Sequence, residues 1–158
     1  MEDGDNISSR RRTPIQEKRH SQIIEKVSLN LLERGFALLV DHISWPQGKP
    51  PSVHGSDSSE LYKPDIFAMS SMLNLIVEVK TVDTINSPHT IKQLVAFDRA
   101  AKEMKNGQVQ LILPTTIGLN SHLQKASELK IQYKLSNTTI YTYNFVSNNI
   151  ALYHNTNL

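Results

Sequence analysis

The apolar residues of this 158-residue chain recur with two periods, one typical of helices and one of strands. Helical spacing begins at Thr13, which is followed by Pro and Gln in a capping pattern, and stops at Gly35. Strand segments are marked by β-branched and aromatic residues. The predicted elements are a helix over 13–35, strands over 36–43, 62–69 and 73–82, a helix over 87–107, a strand over 109–113, a helix over 119–129, and strands over 131–135 and 140–146. This order predicts an α/β fold with a mixed β-sheet flanked by helices.

Two segments fall outside this periodicity. Residues 1–12 are polar and end in Arg10, Arg11 and Arg12. We predict a disordered tail, whose arginines are either simply solvated or in contact with nucleic-acid phosphates, and a single domain over 13–158. The second segment, 44–60, is rich in Pro, Gly and Ser, and a loop of that length is either functional or disordered.

Composition removes several classes of function. The chain has no cysteine, which excludes disulfides, thiolate metal sites and a cysteine nucleophile, and its net charge of only +2 excludes a histone-like role. No Gly-rich phosphate loop or Gly-x-Ser-x-Gly motif occurs, so we expect no nucleotide cofactor. The six histidines lack zinc-ligand spacing. The apolar runs are too short to span a membrane and no signal core begins the chain, so we expect a cytoplasmic protein.

The candidate chemistry lies in three charged residues on two neighbouring predicted strands. Glu78 and Lys80 are two residues apart and share a strand face, and a short turn allows Asp65 to lie beside Glu78. Adjacent carboxylates repel unless a cation neutralises them, and oxygen ligands suit Mg²⁺ or Mn²⁺. A nearby lysine can orient water or stabilise a charged phosphate. The set predicts metal-assisted phosphodiester hydrolysis; the alternative is an exposed strand face on which Glu78 and Lys80 merely pair.

Pro64-Asp65 followed by Glu78-x-Lys80 resembles the motif of the PD-(D/E)xK nuclease superfamily. The predicted helix, three-stranded meander, helix and further strand resemble that family's restriction-endonuclease-like core. Within the family, 24–40 looks like archaeal Holliday-junction resolvases, and the segment beginning at Leu111 looks somewhat like Mrr-type restriction enzymes. Junction resolvases are usually more basic and have a shorter loop before the aspartate.

The resemblance implies two further site residues. The family often places a metal-binding glutamate on the first helix, and Glu25 matches it, since helical spacing sets it between Leu29 and Leu32, facing inward or along the edge of the core. Many members carry a glutamine or a lysine on the helix after the lysine strand. Gln93 matches that position because it leads an apolar stripe which should face the sheet.

These residues give a first hypothesis of a Mg²⁺- or Mn²⁺-dependent DNA endonuclease, either structure-specific like a junction resolvase or restriction-like. Asp65 and Glu78 would hold the metal with Glu25, while Lys80 and Gln93 would position the attacking water. Cutting both strands requires two sites, so a homodimer is expected. The alternative is a catalytically inactive DNA-binding or assembly module on the same fold.

Three other side chains are candidates for contact with DNA. Lys63 and Lys92 could follow a phosphate backbone. Trp45, beside a proline, either stacks on a base or caps the end of its strand.

Overall fold

The computed structural model describes residues 13–42, 45–56, 59–81, 85–115 and 121–154. The predicted tail over 1–12, with its three arginines, lies outside these residues. The described helices are α1 (Pro14–Glu33), α2 (Pro88–Glu103) and α3 (Ser121–Gln132). The described strands are β1 (Ala37–Val40), β2 (Val53–His54), β3 (Leu61–Tyr62), β4 (Ile66–Met69), β5 (Asn74–Val79), β6 (Gly107–Pro114), β7 (Thr138–Asn144) and β8 (Asn149–Leu152).

One six-stranded mixed sheet organises the chain, in the order β1-β4-β5-β6-β7-β8. β1, β4 and β5 form an antiparallel meander, whereas β5, β6 and β7 run parallel. Because parallel neighbours require crossover connections, α2 joins β5 to β6 and α3 joins β6 to β7. The predicted α/β class with a mixed sheet flanked by helices is therefore confirmed.

Helix α1 covers one face of the meander. Thr13 and Gln16 form the expected capping box, with distances of 3.2 Å from Gln16 N to Thr13 Oγ1 and 2.9 Å from Thr13 N to Gln16 Oε1. Gly35 follows the helix with a φ of +88°, which favours glycine. The buried α1 positions pack against inward residues of β1, β4 and β5, and they are Ile23, Ile24, Val27 and Leu31.

The opposite sheet face is covered by α2 and α3. Phe97 of α2 packs with Ile76 and Val109, while Leu94 packs with the apolar side chains of β6 and α3. β5 is therefore buried on both faces, which explains why its charged residues near the carboxyl end are also removed from solvent. None of the helices in the described ranges combines the length and the apolar character that a membrane span requires.

The predicted strand over 131–135 is wrong. Helix α3 continues through Gln132, and its hydrogen bonding ends with Tyr133 N to Leu129 O (2.9 Å) and Leu135 N to Lys130 O (2.9 Å). Lys134 reverses the chain with a φ of +53°. The β-branched and aromatic residues that suggested a strand instead complete an exposed helical turn, because the local hydrogen bonds outweigh the small loss of side-chain freedom in a helix.

Two further strand boundaries differ from the sequence prediction. The segment 62–69 is divided, since Leu61–Tyr62 pairs with β2 in a separate hairpin and only Ile66–Met69 joins the main sheet. Pro64 lies at the division, where it has no N–H to contribute to a ladder. β8 was missed because most of its residues are exposed and give no apolar alternation.

The β2–β3 hairpin gives part of the long 44–60 segment a defined structure. It rests on α2, where Arg99 Nη2 donates to His54 O (2.8 Å) and Tyr62 packs with Phe97. The sequence left open whether this segment is functional or disordered. In the described part of it, the hairpin brings Glu60 to Lys92, with 3.4 Å between Oε1 and Nζ.

A buried carboxylate on α2 fixes the start of β7, and its removal should destabilise the fold. Asp98 accepts hydrogen bonds from Asn137 N (2.9 Å) and Thr138 Oγ1 (2.8 Å) and pairs with Lys102 Nζ (2.9 Å). We expect Asp98→Ala to lower the free energy of unfolding by about 3 kcal/mol, because two donors lose their acceptor at a buried site. Urea unfolding would measure this value.

The control is Asp41→Ala, which removes an exposed carboxylate 3.8 Å from Lys49 Nζ. Its expected cost is below about 1 kcal/mol. Equal costs for the two variants would contradict the assigned role of Asp98.

Candidate active site

The pairing of β4 with β5 brings Asp65 and Glu78 together. Ile66 faces Val77 in the ladder, so Asp65, just before β4, lies beside Glu78. Asp65 N donates to Glu78 Oε1 (3.2 Å), and Val79 N donates to Asp65 Oδ2 (2.8 Å). Each acidic side chain is thus held by the backbone of the other strand, and the two carboxylates have little freedom to move apart.

Lys80 completes this cluster directly after β5. Its Nζ lies 3.0 Å from Glu78 Oε2, and its backbone N–H donates to Ile112 O (3.0 Å). Glu78 is 2% exposed and Lys80 is 8% exposed, so these residues do not form a solvent-facing strand surface. The alternative interpretation of an exposed ion pair is wrong.

Burial makes two neighbouring negative charges unfavourable in this cluster. Burial raises the pKa of Glu78 to about 8, the charge of Asp65 adds to the effect, and Lys80 opposes it. Burial alone would also raise the pKa of Asp65, but the hydrogen bond and charge of His20, the amide of Val79 and the charge of Lys80 together hold that pKa below its usual value. The protein alone therefore favours one ionised carboxyl group, and an added cation would favour two.

Helix α1 delivers a histidine to the cluster that the sequence analysis did not select. His20 is buried, and its Nε2 lies 3.2 Å from Asp65 Oδ2. The spacing rules for zinc ligands do not mark His20, because its partner Asp65 is 45 residues away in the chain. A usable signal existed, since His20 leads the apolar stripe of α1 just as Gln93 leads that of α2.

Glu25 does not face the core, and that part of the prediction is wrong. It is exposed, as are its helical neighbours Leu29 (51%) and Leu32 (44%). The apolar stripe that begins at His20 packs on the sheet, so the arc of α1 that carries Glu25 faces solvent. A metal-binding role for Glu25 stays a prediction.

Gln93 lies on the side of α2 that meets β5. It is 7% exposed, and its Oε1 has no hydrogen-bond partner among the described residues. α2 runs antiparallel to β5, because its carboxyl end adjoins Asn74 while Phe97 packs on Ile76. Gln93 therefore lies at the level of Glu78 and Lys80, one turn nearer the carboxyl end of β5 than Phe97.

Two of the five predicted nucleic-acid contacts lie on the described surface of the protein. Lys63 and Lys92 are both exposed, and Lys92 Nζ is 3.4 Å from Glu60 Oε1. Arg10, Arg11 and Arg12 are outside the described residues. Contact of any of these five side chains with DNA stays a prediction.

The donor set fits a hard divalent cation with few protein ligands. Within the described ranges, no group of three or more His, Asp or Glu side chains is arranged to hold a metal ion. Mg²⁺ commonly uses one or two carboxylates and keeps several waters, and Asp65 and Glu78 provide such a pair. The unpartnered Gln93 Oε1 is an acceptor suited to one of those waters.

Two solved structures have similar folds. An XisH family protein from Nostoc punctiforme PCC 73102 aligns with a TM-score of 0.55 and 18% identity, covering 85% of this chain and 99% of the other. An fdxN element excision controlling factor protein from Anabaena variabilis aligns with a TM-score of 0.54 and 21% identity over the same shares. No model of a protein family matches the sequence, nor does any curated protein. At these low sequence identities, the similarity to the two structures shows a shared fold and nothing beyond it.

The raised pKa of Glu78 predicts a distinctive dependence of stability on pH. Between its ordinary pKa of 4.5 and about 8, folded Glu78 retains a proton that the unfolded chain has lost, so stability falls as pH rises through this window. We expect Glu78→Gln to remove this decrease in the free energy of unfolding, which amounts to at most about 1.4 kcal/mol per pH unit. Urea unfolding of both proteins without metal, from pH 5 to pH 8, would measure it.

Glu128→Gln is the matched control, because Glu128 is exposed on α3. The free energy of unfolding of this variant should depend on pH in the same way as that of the unsubstituted protein. The lowered pKa of Asp65 acts below pH 3.8 and does not contribute in this window. An unchanged slope in Glu78→Gln would contradict the prediction.

Proposed function

We propose that this protein is a divalent-metal-dependent endodeoxyribonuclease that hydrolyses phosphodiester bonds with Mg²⁺ or Mn²⁺. The observation that carries the proposal is the buried set of Asp65, Glu78 and Lys80, in which each carboxylate accepts a backbone N–H from the other strand. Such a set costs free energy to bury and contributes little to a core. Its chemistry suits a charged substrate and a cation.

Asp65 and Glu78 would hold the metal, and His20 would keep the Asp65 carboxylate oriented through the 3.2 Å contact. When bound, the ion would supply Lewis-acid stabilisation of the charge that develops on the scissile phosphate. Lys80 Nζ would orient the attacking water or donate to a phosphate oxygen. Gln93 Oε1 would accept a hydrogen bond from a water in the site.

The substrate we propose is DNA, approached along the exposed Lys63 and Lys92. One of the two similar folds is named an fdxN element excision controlling factor, and that name is compatible with action on DNA. Because one site cuts one strand, we propose a homodimer with two sites.

A second candidate is a catalytically inactive DNA-binding or assembly module. The contact between Glu78 and Lys80 favours it, because Lys80 Nζ lies 3.0 Å from Glu78 Oε2 and occupies that oxygen without any metal. The absence of a three-ligand metal group among the described residues also favours it. The two candidates differ in what Lys80 does, so activity and metal binding must be measured separately.

The nuclease proposal predicts metal-dependent cutting that requires the cluster. Supercoiled plasmid, linear duplex, single-stranded DNA and a synthetic four-way junction would be incubated with Mg²⁺, Mn²⁺ or EDTA. We expect cutting with either metal and none with EDTA. Lys80→Ala and Asp65→Asn should each lower the rate by about 100-fold or more, because each removes charge stabilisation from the transition state.

Lys125→Ala and Glu128→Gln are matched controls, since both positions are exposed on α3. They should retain full activity. Circular dichroism would establish that each variant is folded. Metal-independent cutting, or cutting unaffected by Lys80→Ala, would contradict the proposed mechanism, and DNA binding without cutting would support the inactive module.

Metal binding is a separate expectation. We expect the free protein to bind Mn²⁺, seen as loss of the free-ion signal in electron paramagnetic resonance, because the cation relieves the repulsion of two buried carboxylates. Asp65→Asn should weaken binding by about ten-fold or more, whereas Glu128→Gln should not change it. Equal binding by Asp65→Asn would show that the ion is held elsewhere.

A further inference from the structure

A groove of about 370 Å³ lies between α1 and the edge strand β1. Its lining is mostly apolar with a few polar side chains, an arrangement typical of sites for small planar ligands. The lining residues are Ser21, Ile24, Glu25, Ser28, Leu29, Val40, His42 and Trp45. None of these residues belongs to the cluster of Asp65, Glu78 and Lys80, here called the hydrolytic cluster.

Trp45 forms an ordered aromatic wall of the groove. Its Nε1 donates to Leu38 O (3.1 Å), and its partly buried ring packs on the α1 core. The hydrogen bond fixes the orientation of the indole. This contact agrees with the strand-capping role considered for Trp45, and the same fixed ring offers a surface for stacking.

Two polar residues of α1 give the groove its chemical character. Ser28 is 3% exposed, and its Oγ has no hydrogen-bond partner in the part of the chain that the structure describes. A buried hydroxyl without a partner costs free energy, and a ligand that reaches it would remove that cost. Glu25, one helical turn earlier, is exposed and supplies a carboxylate acceptor to the same lining.

The groove adjoins the hydrolytic cluster. Ser21 follows His20, which contacts Asp65. On the strand side, Val40 pairs with Ile66, and Asp41 N donates to Asp65 O (2.9 Å). A DNA strand bound at Asp65 would therefore pass next to the groove.

We infer that this groove binds one unpaired nucleobase of the DNA substrate and favours guanine. The inference rests on the proposed function for its ligand class, but its evidence is the groove itself. Stacking on Trp45 would supply affinity for any base. Guanine presents two adjacent N–H donors to one carboxylate, whereas thymine presents a single N–H between two carbonyl oxygens that the Glu25 carboxylate repels. Ser28 Oγ would donate to a base oxygen.

This chain has a single tryptophan, so the groove carries its own spectroscopic probe. Three oligonucleotide duplexes would be titrated in EDTA with excitation of Trp45: one with a single bulged guanine, one with a bulged thymine and one fully paired. We expect saturable quenching by the bulged guanine, with affinity about ten-fold or more above that for the other two. Trp45→Phe should retain binding measured by anisotropy, and Trp45→Ala should lose it.

Glu25→Gln should abolish the preference for guanine over thymine while leaving stacking in place, and Ser28→Ala should weaken binding of the guanine bulge. Glu128→Gln is the control and should change neither. Quenching that is absent, or equal for all three duplexes, would overturn the inference, as would an unchanged preference in Glu25→Gln.

The readout is independent of cutting. Quenching with the expected preference, but without cutting of any DNA, would support the base site and overturn the nuclease proposal. Metal-dependent cutting without that quenching would support the nuclease and overturn the base site.

Discussion

The reciprocal hydrogen bonds between Asp65 and β5 are the constraint on which the site depends. The backbone of Asp65 donates to Glu78, and the backbone of Val79 donates to Asp65, so the register of β4 against β5 sets the positions of both carboxylates. A shift of one residue would turn alternate side chains to the wrong face. The apolar residues facing α1 hold this register, which means that core packing fixes the geometry of the polar cluster.

Charge compensation in this cluster comes from helix α1 and from the sheet itself. His20 approaches from α1 and contacts Asp65, while Lys80 pairs with Glu78 from the end of β5. Burial still raises the pKa of Glu78, so the compensation by the protein is incomplete. An incompletely balanced pair of buried acids costs stability, and this cost is what the proposed cation would relieve.

Helices α1 and α2 connect the cluster with the rest of the molecule. Each begins its apolar stripe with a polar residue, His20 on α1 and Gln93 on α2, and the polar ends of both stripes lie near the carboxyl end of β5. Glu25, on the outer arc of α1, lines the groove together with Trp45. The cluster and the groove thus lie along neighbouring arcs of one helix.

The three helices, the meander and the approach of Asp65 to Glu78 and Lys80 could be predicted from the sequence, because they depend on periodicity and local spacing, whereas the β2–β3 hairpin and β8 could not. Local patterns gave a wrong strand at 131–135, where a helical turn carries residues typical of strands. They also gave a wrong orientation for Glu25, because its angular position on α1 does not tell which arc of the helix packs on the sheet. The contact of His20 with Asp65 joins residues 45 positions apart. Only the tertiary structure decides such contacts, because burial and long-range partners depend on how whole elements pack.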